Sequence, residues 1–167
     1  MGADRSSCGD DCVMAERADS KLVRVGPALI GCAGSIRAEQ LIRYLLEPPK
    51  EIPELPADEW IVRRLACPLA ALLERERVAS RSAEGDLQFA GCFLVAFRGR
   101  LWTIQSDFAA IRHAGDSHAI GSGEQPALGA LHATRDLEPR ERIERALTAA
   151  ASVSAKVRAP FDVEVLP

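Results

Sequence analysis

The sequence predicts an α+β fold, a four-layer αββα sandwich with two β-sheets between two pairs of helices, from three observations. Helical stretches come in consecutive pairs rather than one after every strand, which argues for mostly antiparallel sheets with helices outside and against a doubly wound parallel sheet. Each helical stretch carries one apolar stripe and so has one face to bury. The length, 167 residues, fits one domain over 1–167.

Residues 1 to 20 are polar and lack apolar periodicity, reading as the end of a strand followed by a loop. Lys21 to Val25 and Ala28 to Ala33 flank Gly26-Pro27 and predict a hairpin. Gly34 breaks the second strand, and Ser35 caps a helix over Ile36 to Leu46, with Ala38, Leu41, Ile42 and Leu45 on one face. Glu47-Pro48-Pro49 ends it. Lys50 to Pro56 is a proline-punctuated loop. Residues 58 to 78 form the second helix, striped by Ile61, Leu65, Leu69, Leu72 and Leu73 and expected to kink at Pro68.

Ser80 to Asp86 is a polar connection. Phe89 to Phe97 is a nearly continuous apolar run, predicting a strand covered on both faces, and Arg98-Gly99 turns it into Leu101 to Ile104. Asp107 to Asp116 reads as a turn and Ser117 to Ile120 as a short strand leading into Gly121-Ser122-Gly123. Helices over 124 to 133, with Pro126 in the first turn, and over 139 to 154 form the second pair. The last strand is Phe161 to Leu166.

Composition narrows the function. The 21 basic and 24 acidic residues are interleaved, with a net charge of -3, and give no electrostatic footprint for nucleic acid. No apolar run reaches the length of a membrane span and the start lacks a signal-peptide core, so the expected setting is the cytoplasm. Five cysteines (Cys8, Cys12, Cys32, Cys67 and Cys92) suit reduced thiols better than a disulfide framework. Cys8 and Cys12 lie far in sequence from His113, His118 and His132, and no C-x-x-C or H-E-x-x-H spacing occurs, so no metal or cofactor is expected. There are three lysines, Lys21, Lys50 and Lys156, against 18 arginines. Lysine, unlike arginine, can be tuned to release its proton.

Four short motifs occur in order: Gly2-Ala3-Asp4, then Lys21 in Asp-Ser-Lys-Leu, then Gly31-Cys-Ala-Gly-Ser35, then Ala119-Ile-Gly-Ser-Gly123 followed by Ala127-Leu-Gly-Ala130. In this order the chain resembles the proteasome β-subunit and HslV-type family of N-terminal nucleophile (Ntn) hydrolases over nearly its whole length. The resemblance implies threonine-type peptide-bond hydrolysis inside a homo-oligomeric ring, polypeptide substrates, and an ATP-dependent unfoldase as a potential partner. It maps Lys21 onto the lysine beside the nucleophile and Asp4 onto the carboxylate that orients it. It maps Gly34 onto the backbone N–H that stabilises the oxyanion, and Ser122 onto the serine near the threonine amine. The Asp4 to Lys21 spacing is slightly longer than the family's, which implies one inserted residue between Ser6 and Asp11.

Two departures accompany the match. The family's threonine opens a strand ahead of Gly-Ala-Asp, needing about 10 to 15 residues with its turn, whereas only Met1 precedes Gly2 and the threonines are Thr103, Thr134 and Thr148. The nucleophile strand is therefore expected to be missing from this sequence. The stretch matching the family's late aspartate and serine reads Ala151 to Lys156, where Ser152 or Ser154 aligns loosely and no aspartate occurs.

Apart from the resemblance, each of these residues has a plainer reading. Asp4 and Lys21 read as a structural ion pair or as solvated charges, and Gly34 as a strand-to-helix break. Gly121-Ser122-Gly123 reads as a tight turn with a capping serine or as a phosphate cradle at a helix N-terminus. Cys8-Gly9 would become a nucleophile only after trimming, with Asp10-Asp11 a poor start for a buried strand. Alongside the hydrolase stand a non-catalytic ring or scaffold subunit of the same fold, and a small-ligand binder using Gly121 to Gly123.

Overall fold

The computed structural model describes residues 1–8 and 14–166. The strands in chain order are β1 (Gly2–Asp4), β2 (Ser6–Cys8), β3 (Met14–Glu16), β4 (Leu22–Val25), β5 (Ala28–Gly34), β6 (Ala79–Arg81), β7 (Leu87–Phe89), β8 (Gly91–Phe97), β9 (Arg100–Ile104), β10 (Ala110–Arg112) and β11 (Phe161–Val163). The helices are α1 (Ile36–Leu45), α2 (Ala57–Trp60), α3 (Cys67–Arg75), α4 (Glu124–Ala133) and α5 (Pro139–Val153), with a π-helical stretch, Ile61–Ala66, joining α2 to α3. They fall into two compact units, residues 23–116 and residues 1–22 together with 117–165.

In residues 23–116 a five-stranded sheet runs in the order β10-β9-β8-β5-β4. β8 pairs antiparallel with β5 on one side and β9 on the other, and its successive residues Phe93, Leu94 and Val95, which point to alternate faces, are all buried. The β8–β9 hairpin closes through two residues, Arg98 and Gly99, both at positive φ, the geometry that matches the twist of the flanking strands. The core joins Ile30, Phe93, Val95, Phe97, Trp102 and Ile104 from the sheet to Leu41, Ile42, Trp60, Leu65 and Leu69 from the helices. Trp60 stacks on Phe97 at 4.2 Å between ring centroids. The Ser35 side chain accepts from the Ala38 amide at 3.2 Å and starts α1.

The expected kink at Pro68 is replaced by the π-helical stretch. Proline offers no N–H to the turn before it, and widening that turn lets the Cys67 amide reach Val62 O, five residues back. The helix ends at Arg75 rather than at residue 78. Arg77 takes a φ of +58°, and Val78 N donates to Leu73 O at 2.9 Å, a Schellman closure.

In residues 1–22 with 117–165, β1 pairs antiparallel with β11, with Ala3 opposite Asp162 and Asp4 opposite Phe161. Helices α4 and α5 pack together through Ala127, Leu131, Ala146 and Ala150, joined by Val157 and Phe161. Gly2 sits against α5: a Cβ there would meet the Ile143 and Leu147 side chains.

Four local expectations are corrected. Residues 1–20 hold β1, β2 and β3 rather than one strand end, and Ser80 and Arg81 of the expected Ser80–Asp86 connection belong to β6, which pairs with β7 as a hairpin. Asp107 to Asp116 contains a strand, β10, held by pairing with β9, while Ser117 to Ile120 is not a strand. These segments are too short for side-chain periodicity to reveal them, and cross-chain pairing decides them. The insertion expected between Ser6 and Asp11 begins in β2, and its remainder, with Gly9 to Cys12, lies outside the described residues.

Candidate functional site

The end of β1 and the segment before β4 bring two of the named residues together. Lys21 Nζ donates to Asp4 Oδ1 at 2.7 Å, with the side chains 20% and 12% exposed. The second carboxylate oxygen, Oδ2, accepts from the Ser6 amide at 2.9 Å. Asp4 is thus held from both oxygens, one by a backbone donor that fixes its rotamer and one by the ammonium. A largely buried carboxylate held by such partners orients its cation. Lys50 and Lys156 are both exposed, so Lys21 is the one lysine withdrawn from solvent.

A second ion pair stands beside the first. Arg5 follows Asp4 and grips Asp162 of β11 in a fork, Nε at 2.9 Å from Oδ2 and the terminal nitrogen at 2.6 Å from Oδ1. The other terminal nitrogen donates to Ala18 O at 3.3 Å. Asp162 also accepts from the Ser20 hydroxyl, whose oxygen takes the Leu22 amide at 3.1 Å. The hydrogen bond from Arg5, aided by Ser20, holds the Asp162 carboxyl below the ordinary carboxylate range, against burial that acts the other way. Arg5, Ser20 and Asp162 were absent from the sequence-derived set. The available signal was an isolated acid inside the apolar strand Phe161-Asp162-Val163, a position that needs a partner.

Ser122 lies in the same unit as Asp4 and Lys21, exposed in the turn before α4. Among the described residues it has no hydrogen bond to Asp4 or Lys21. The turn itself is constrained: Gly121 has a φ of +91°, and a Cβ on Gly123 would press on Ala150 and Val157. Ser152 Oγ bonds to Ala149 O at 2.9 Å and Ser154 Oγ accepts from Lys156 N at 3.3 Å, both at the end of α5.

Gly34 belongs to the other unit, as the last residue of β5 opposite Gly91. Its φ is +107° and a Cβ would run into the Ala90 carbonyl and Gly91 Cα, so the backbone there admits glycine alone. The threonine hydroxyls are engaged elsewhere: Thr103 with His113 at 2.7 Å, Thr134 with Ala130 O at 2.7 Å and Thr148 with Glu144 O at 2.8 Å. No helix among the described residues is long and apolar enough to cross a membrane.

Comparison with solved structures gives matches over nearly the whole chain. BPH of Thiobacillus denitrificans, a bacterial proteasome homologue, matches with a TM-score of 0.75 at 22% identity over 96% of this chain and 88% of that one. The same protein in complex with epoxomicin matches with a TM-score of 0.75 at 20% identity, with the same coverage. Eukaryotic HslV from Trypanosoma brucei matches with a TM-score of 0.66 at 20% identity over 98% of this chain and 90% of that one. No family model and no curated protein matches the sequence.

Proposed function

With the proteasome β-type Ntn-hydrolase fold as its frame, we propose that the chain is a proteasome-like subunit and that Asp4 and Lys21 are the charged half of a threonine-type peptidase site. The observation that carries this is the Lys21–Asp4 pair at 2.7 Å, formed by the only lysine withdrawn from solvent. A positioned ammonium stabilises negative charge developing on a hydroxyl that loses its proton, and lowers the cost of making it a nucleophile. Asp4 keeps the ammonium aimed, and the Ser6 amide keeps Asp4 aimed. In this reading Gly34 supplies an oxyanion donor and Ser122 serves the threonine amine.

In this reading the nucleophile is none of Thr103, Thr134 and Thr148, whose hydroxyls are engaged in β9 and at α4 and α5; a threonine joined ahead of Gly2 would complete the site. The working form is a homo-oligomeric ring in the cytoplasm acting on polypeptides, with an ATP-dependent unfoldase as candidate feeder.

The test compares residues 1–167 with the same chain extended ahead of Gly2 by an engineered strand that begins with threonine, assayed with a fluorogenic peptide and with epoxomicin, the ligand in the BPH complex. Residues 1–167 alone should not cleave the peptide, whereas the longer form should cleave it and gain the mass of one epoxomicin per active subunit. Ring assembly with neither cleavage nor labelling in the longer form would instead identify a non-catalytic scaffold subunit.

A further inference from the structure

We infer that Arg5, Ser20 and Asp162 form a positioning clamp that sets the geometry of the Lys21–Asp4 pair. The inference rests on the site reading above and adds Arg5 and Asp162, which lie outside the four motifs, and Ser20, which lies inside the Asp-Ser-Lys-Leu motif without a role assigned to it.

The argument is one of adjacency. Arg5 is the residue after Asp4, and Ser20 is the residue before Lys21, so the two members of the pair are each flanked by a member of the clamp. Asp162 joins those two flanks, taking the Arg5 fork on one side and the Ser20 hydroxyl on the other. Arg5 also reaches forward to Ala18 O at 3.3 Å, and its carbonyl accepts from Arg17 N at 2.8 Å. The segment 17–20 is therefore tied to Arg5 at its start and to Asp162 of β11 at its end before it delivers Lys21.

Asp162 is itself fixed by strand pairing, opposite Ala3. A bidentate guanidinium–carboxylate contact fixes angle as well as distance. An ammonium on a four-carbon stem has neither, so the precision of Lys21 comes from its backbone and from Asp4. A single ion pair between Asp4 and Lys21 would hold the lysine loosely; the Arg5–Asp162 pair anchors the residues flanking both of its members.

The test reads Lys21 directly. Trace acetylation of the folded protein, quantified at each lysine by mass spectrometry, uses the exposed Lys50 and Lys156 as internal references. Lys21 should label more slowly than both. In Ser20→Ala and in Asp162→Asn the ratio of Lys21 to Lys50 labelling should rise at least about threefold, the size of effect that losing one hydrogen bond gives. The ratio of Lys156 to Lys50 should stay constant, and Asp162→Glu, which keeps an acceptor carboxylate, should restore part of the protection.

Circular dichroism checks folding. Ser20→Ala removes one hydroxyl and no charge, so it decides the matter if Asp162→Asn fails to fold. Asp4→Asn separates the two layers of the argument. A rise in Asp4→Asn with parental ratios in the folded Ser20→Ala and Asp162→Asn proteins overturns the clamp alone. A parental ratio in Asp4→Asn removes the pair and the clamp with it. Equal rises at all three lysines would mean general loosening and overturn the clamp as well.

Discussion

Lys21 differs from the exposed Lys50 and Lys156 in having a largely buried acceptor, Asp4 at 2.7 Å. Replacing it by arginine keeps the charge but substitutes a planar group that does not deprotonate. In the peptidase-active form, Lys21→Arg should lower turnover by at least about a hundredfold, the usual scale for a positioned electrostatic or acid–base group, while the size-exclusion profile stays that of the parent. Near-parental turnover in intact particles would take Lys21 out of the mechanism. Gly34 makes a different single-residue case. With φ at +107° and the Ala90 carbonyl in the path of any Cβ, Gly34→Ala should cost about 1–3 kcal/mol in urea unfolding. Asp162 supplies the acid response. Its carboxyl lies below the ordinary aspartate range because of the hydrogen bond from Arg5, so the folded state holds this proton less readily than the unfolded chain. The stabilisation is complete above the unfolded value and disappears as pH falls through the lower, folded one. Melting curves should show Asp162→Asn losing part of the parent's stability drop below about pH 4.

At the level of elements, the long helical region shows what periodicity reveals and what it hides. Ile61, Leu65, Leu69, Leu72 and Leu73 are buried as their spacing suggests, and the stretch is helical throughout. The π-helical turn was invisible because a proline inside a helical pattern signals a break without saying how the chain absorbs it. The burial pattern records it: Trp60 and Ile61 are followed inward by Leu65 and Ala66, a step of five instead of four. Deleting the exposed Arg63 should return the step to four and keep the leucine stripe on the core, so this variant should fold with a far-UV spectrum like the parent's. At the helix end, Arg77 occupies a left-handed position with φ +58°. Arg77→Gly should raise stability by about 1 kcal/mol in denaturant melts. Short strands were the least legible elements. β10 and β1 to β3 span three residues each, and such segments are set by the neighbour they pair with rather than by their own pattern. The Asp4–Lys21 pair became legible through motif order, whereas Arg5 and Asp162 meet only because β1 and β11 pair.

At the scale of the molecule, the unit holding the Lys21–Asp4 pair is discontinuous in sequence, residues 1–22 and 117–165, while residues 23–116 form an unbroken stretch. Vectorial synthesis treats the two differently. The contiguous unit has all its partners on hand as it leaves the ribosome, but Arg5 must wait for Asp162, 157 positions later. At 5–20 residues per second that delay is roughly 8 to 30 s. During it, β1 has no β11 to pair with and the segment bearing Lys21 lacks its tether. Chains stalled before Phe161 should therefore resist limited proteolysis over 23–116 and be cut within the first 22 residues. The candidate hydrolytic machinery would then stay unformed on every nascent chain until residues 161–163 have been made, a timing safeguard written into strand order.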